Sequence, residues 1–154
     1  MKASKVLTTA AVFFAGVGLC FAADPQMGTW KLNEGKSKLN PEAGKNTSVV
    51  YSMAGDSVKV TVDGVDKDGK PLHNEWTGKF DGKEYAVAGD PTADVRSYKK
   101  VDANTLELTT MKGGKVALTG RIVVSADGKS RTLSATGTDA SGKKVSTTMV
   151  YEKQ

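Results

Sequence analysis

Val58-Lys59-Val60-Thr61-Val62-Asp63, set between Gly55-Asp56 and Asp68-Gly69-Lys70, decides how this chain folds. Val58, Val60 and Val62 share one face of an extended segment, and Ser57, Lys59, Thr61 and Asp63 share the other. Strict period-2 alternation marks a strand in a sheet covered on one side. Working outward, the pattern repeats. Val49, Tyr51 and Met53 precede it. Leu72, Trp76 and Phe80 follow, with His73, Glu75, Thr77 and Lys79 opposite, and which of those faces is interior stays open. Then come Tyr85 and Val87, Val95 to Val101, and Leu106 with Leu108. Val116, Leu118, Ile122 and Val124 come next, then Leu133, Ala135 and Gly137, and finally Val145, Thr147, Met149 and Tyr151.

Turn chemistry separates these runs. Asp68-Gly69-Lys70, Asp81-Gly82-Lys83, Gly113-Gly114, Asp127-Gly128-Lys129 and Ser141-Gly142-Lys143 supply the positive φ angles of tight hairpins, and Asp102-Ala103-Asn104 is a further turn. No window of helical length keeps an i, i+3, i+4 apolar face. The spacing predicts an all-β fold, an antiparallel meander of about eight to ten strands. A meander of that length has two free edges, and closing it into an up-and-down barrel removes them. A two-sheet sandwich is the alternative, but it needs long crossovers. The longer connection 33–46 reads as a loop across one barrel mouth. Gly64 to Lys70 echoes Gly137 to Lys143, which reads as one hairpin chemistry used twice.

The first segment does not belong to the barrel. Met1 to Lys5 is short and basic, Val6 to Ala22 is apolar apart from Thr8 and Thr9, and Cys20-Phe21-Ala22 offers small residues at a cleavage site. These are the parts of a secretory signal peptide over 1–22. The apolar run is at the lower edge of a membrane span, and no basic stop-transfer cluster follows. Leu19 occupies the place where a lipoprotein signal needs a small residue before Cys20. The expected product is a periplasmic or secreted domain over 23–154, with no stable membrane insertion after cleavage.

The whole chain has 154 residues and formal net charge +5. Loss of 1–22 removes Lys2 and Lys5 and no acid, leaving +3 spread along the chain. No basic block or aromatic-interleaved stripe is present, which argues against nucleic acid as a partner. Residues 23–154 contain no cysteine, so an exported domain would hold together on its core alone.

Gly28-Thr29-Trp30 opens the first strand. It resembles the Gly-x-Trp opening motif of lipocalins and the wider calycin barrels. In that family the Trp plugs one barrel end and a basic side chain packs across it. Candidates for that cation are Arg121, Arg131 and Lys153; Trp30 with Arg121 is the pair expected at the barrel end, with the other two left open. The run Gly28 to Asn33, then Lys36-Ser37-Lys38, is similar to the start of small secreted bacterial proteins described as lipocalin-like, and the similarity extends to Val150-Tyr151-Glu152-Lys153. It implies a fold and a compartment rather than an activity. The Thr-Asp-Tyr motif of true lipocalins has no match here; the corresponding turn reads Val101-Asp102-Ala103-Asn104-Thr105.

Catalytic signatures are sparse. His73 is the single histidine, no Gly-x-Ser-x-Gly elbow exists, and no phosphate loop is present. Neither a metal nor another cofactor is expected: zinc takes three or four His, Cys or acidic ligands, and Asp63, Asp66 and Asp68 do not match a calcium loop. His73 reads as a surface residue, and no enzymatic role is assigned. What remains is a barrel interior, for which Trp76, Phe80, Tyr85, Leu106, Met149 and Tyr151 are the candidate ligand-binding residues. Gly120, Ala135 and Gly137 leave room inside. The function expected is binding of a small, partly apolar molecule in the barrel or at its mouth. The alternative is a protein-binding module, such as an inhibitor of an exported hydrolase or an envelope stress factor, using the arm Ala23 to Met27 or the loop 33–46.

Overall fold

The computed structural model describes residues 23–139 and 141–154; the expected leader over 1–22, with Cys20, lies outside them. Ten strands form: β1 Gly28–Leu32, β2 Lys45–Ala54, β3 Ser57–Val65, β4 Pro71–Gly78, β5 Tyr85–Ala88, β6 Val95–Lys100, β7 Thr105–Lys112, β8 Lys115–Val124, β9 Ser130–Thr138 and β10 Lys144–Lys153. Each pairs antiparallel with its sequence neighbours. The sheet closes where β1 meets β10, with Trp30 opposite Lys153 and Leu32 opposite Tyr151. This is the closed meander, not the sandwich, and it leaves no free edge.

The alternation decides which residues face inward. Val58, Val60 and Val62 are buried on β3, and Asn74, Trp76 and Gly78 on β4. That settles the open face of β4: His73 and Glu75 point outward. His73 Nδ1 lies 2.6 Å from Asp63 Oδ1 on the outer surface.

Hairpin turns carry the predicted chemistry. Gly113 and Gly114 adopt φ of 56° and 75°, the two positive angles of a type I′ turn. The echoed segments are indeed one turn used twice. Asp66 Oδ1 accepts from the amides of Asp68 and Lys70, and Asp139 Oδ1 accepts from those of Ser141 and Lys143, all between 2.8 and 3.0 Å.

An up-and-down barrel sends alternate connections to opposite ends. At one end lie the turns β2–β3, β4–β5, β6–β7 and β8–β9, together with the start of β1 and the end of β10. Trp30 seals this end, fully buried, its Nε1 donating to the Gln26 carbonyl at 2.9 Å. Lys153 Nζ sits 5.2 Å from the indole centroid. Arg121 does not: it is exposed on β8 and pairs with Glu107 at 3.3 Å. Thus the pairing Trp30–Arg121 is corrected to Trp30–Lys153. The reason is parity, since Arg121 alternates with inward Gly120 and Ile122, whereas Lys153 is the register partner of Trp30 across the closing seam.

Nor is the segment Ala23 to Met27 a free arm. Gln26 is buried, its side chain donates to the Asn104 carbonyl at 3.2 Å, and Asp24 pairs with Lys100. It is part of the plug.

Candidate functional site

The opposite end is open. Between the β1–β2, β5–β6 and β9–β10 connections a cavity of about 480 Å³ runs into the barrel. That volume falls within the range of small-molecule sites. Its upper wall includes Asn40, Glu42 and Gly44 of the 33–46 loop, and Pro91 and Thr92 of the β5–β6 loop. The 33–46 loop is tied down as it crosses: Lys38 bridges Thr148, and the Ser37 hydroxyl accepts from the Val150 amide at 2.9 Å. Below the mouth an apolar stretch of wall is formed by Val49, Val62, Leu72, Leu118, Leu133 and Met149.

Two small residues of β9 border this space, and Gly137 also has a packing reason, since a Cβ there would lie 2.9 Å from the Ala117 carbonyl oxygen. Ala135 and Gly137 line the cavity. Gly120 does not; a Cβ there would come within 3.0 Å of the Ser134 carbonyl oxygen, so its smallness serves strand packing.

Of the six candidate ligand-binding residues, Met149 and Tyr151 line the cavity. Trp76, Phe80, Tyr85 and Leu106 lie outside its lining. They sit where β4, β5 and β7 meet the closed end, and there aromatic rings fill the interior. Trp76 packs edge-on against Tyr85 and Tyr98, with centroids 5.7 and 4.8 Å apart, and Phe80 meets Tyr98 at 5.8 Å. Trp76 Nε1 donates to the Arg96 carbonyl at 2.9 Å. Gly78 is required by this cluster, because a Cβ there would strike the Trp76 and Tyr85 rings at 2.6 Å. The four residues form the solid base beneath the cavity.

Charged and polar groups buried in the cavity wall are the feature the sequence reading missed, Arg96 with Asp90 toward the mouth and Arg131 toward the closed end. Arg96, on β6, is buried and donates from Nη2 to Asp90 at 2.9 Å and to Asn74 at 3.1 Å. Asp90 is itself buried enough for this to be a shielded ion pair. Arg131, on β9, is 3% exposed. Its Nη2 donates to the Tyr51 hydroxyl at 2.6 Å, and its Cζ lies 4.9 Å and 5.3 Å from the ring centroids of Tyr51 and Tyr151. Its Nε and Nη1 have no acceptor among the described residues.

Neither phenol supplies the missing negative charge. Burial pushes the Tyr51 hydroxyl well above its ordinary value despite the opposing pull of Arg131. Burial likewise pushes Tyr151 up to about 12. Both stay protonated at neutral pH, and the Tyr151 hydroxyl donates to the Asn46 carbonyl at 3.1 Å. A signal for these residues was present. Arg131 is in phase with Leu133, Ala135 and Gly137, Arg96 with Tyr98, and Asn74 with Trp76.

No family model matches the chain, and no curated protein matches it. A solved structure described as "Structure of EF1p2_mFAP2b bound to DFHBI" matches with a TM-score of 0.50 at 13% identity, covering 86% of this chain and 97% of that one. What this chain shares with that protein is therefore a fold, a closed antiparallel β-barrel consistent with the calycin type.

Proposed function

We propose that this protein is an exported, lipocalin-like carrier that binds a small, partly apolar molecule inside its barrel. The observation that carries the reading is the asymmetry of the two ends. One is sealed by Trp30, Gln26 and Lys153, and the other opens into a cavity of about 480 Å³ whose walls mix aliphatic side chains with polar ones. A barrel of this size whose interior is not filled by side chains has room for one ligand. The described binding of DFHBI by a protein of the same fold supports the reading. Export rests on the pattern of residues 1–22.

Leu118→Trp tests the site. Leu118 is half-buried on the cavity wall, so an indole there occupies cavity volume without displacing the solid base. Ligands that raise the melting temperature of the native protein should lose that effect in Leu118→Trp. A melting temperature unmoved by any member of a lipid and aromatic panel would sink the proposal.

A further inference from the structure

The deep wall of the cavity holds one charge that the protein does not balance. Three carboxylates belong to the lining, those of Glu42, Asp90 and Asp139. Asp90 is taken by Arg96, and Asp139 by the turn amides of Ser141 and Lys143. Glu42 is exposed at the mouth, where the Asn40 carboxamide receives its amide. None of the described carboxylates pairs with Arg131. A guanidinium keeps its charge, and the two flanking tyrosines are neutral. Ring faces offset a cation only in part. Arg131 is therefore a buried cation with two orphaned nitrogens, set beneath an apolar cavity.

We propose that the ligand is a carboxylate amphiphile, its hydrocarbon portion along Val49, Val62, Leu118, Leu133 and Met149 and its carboxylate drawn down to Arg131. This deepens the cavity-binding reading and rests on it. Charge decides the orientation. An anion at the deep end meets Arg131 in a poorly screened interior, whereas the mouth already carries Glu42 and Asp139. Tyr51, holding its proton, places a hydroxyl beside the same guanidinium and adds a polar group for the head. An amine in this position would add a second cation, and a neutral alcohol would leave the charge unmet.

Calorimetric titration of the native protein with decanoate and with decanol, at neutral pH, tests the proposal. Decanoate should bind about ten-fold or more tightly, the equivalent of one factor of ten in Kd. In Arg131→Met, which keeps an unbranched apolar stem and removes the guanidinium and its charge, the two should bind within about two-fold, and Arg131→Lys should keep part of the preference. Decanol binding as tightly as decanoate to the native protein overturns the carboxylate assignment and leaves the cavity reading standing. So does a preference for decanoate that persists in Arg131→Met. Binding of neither overturns the carboxylate assignment, and the lipid and aromatic panel then decides the cavity reading. If Arg131→Met loses the circular dichroism of the barrel, the ratio in the native protein decides alone.

Discussion

Arg131 donates to the Tyr51 hydroxyl at 2.6 Å across the barrel interior, from β9 to β2, and no carboxylate among the described residues accompanies the pair. A hydrogen bond to a neutral phenol recovers only part of what a guanidinium loses on leaving water. That cost is what the proposed carboxylate site would put to use.

That cost should be measurable. Replacing an unpaired buried ion by an apolar side chain removes its desolvation penalty. Arg131→Met should raise the stability of the unliganded protein by about 1 kcal/mol or more, seen as a higher urea midpoint with an unchanged slope. A fall in the midpoint would mean that the barrel compensates the charge internally.

Arg96 is the contrasting case, since its partner is present. Asp90→Ala leaves a second buried guanidinium without its carboxylate, and removal of one partner of a buried pair costs about 3 kcal/mol. Urea unfolding should show this loss. Asp90→Ala paired with Arg96→Met should recover part of it, because the stranded charge is then gone.

At the closed end, Trp30→Ala opens a void beneath Lys153 and should cost about 3 to 5 kcal/mol. Lys153→Met removes only a cation over an indole face, worth about 0.5 to 1 kcal/mol at an exposed site. Arg121→Met, on the outer surface, should leave the melting temperature within error. An effect of Arg121→Met equal to that of Lys153→Met would contradict the plug geometry.

Acid should unfold the barrel through its turns. Asp94 is held below the usual carboxylate range by Lys112 and then by the Gly113 amide. Asp102 is held down first by the Asn104 amide, Asp127 by the Ser125 hydroxyl and Asp139 by Ser141. For each, the folded value lies below the unfolded one. The stability it contributes is present above about pH 4 and is lost as pH falls through the depressed folded values. The urea midpoint should therefore stay level from neutral pH down to about 5 and fall below about 4. A midpoint that declines already between about pH 7 and 5 would point to some other group.

The core residues that face inward could be read from the sequence because alternation is local. Each strand decides its own two faces, and Val58, Val60 and Val62 need no partner to declare theirs. The positive φ of Gly113 and Gly114 is equally local. Arg131 is in phase with Leu133 and Ala135, so its inward side was legible too, although the family resemblance offered it as a cation across Trp30 and not as a cavity group. Alternation puts His73 out of phase with Trp76, and the structure decides that the Trp76 face is the inner one.

What alternation cannot supply is which inward side chains meet. Tyr51 and Arg131 are 80 positions apart, and Trp30 faces Lys153 only because β1 and β10 close the sheet. Closure also gathers Trp76, Phe80 and Tyr85 at the sealed end as filler, and it leaves the small residues of β9 around open space. The amino-acid sequence by itself determined the strands, their turns and their inward faces, since these depend on φ, ψ and a two-residue repeat. Only the tertiary structure decided where the barrel is solid, where it is hollow, and that the hollow holds an unbalanced cation. Those are properties of side chains brought together across the interior, and no single strand contains them.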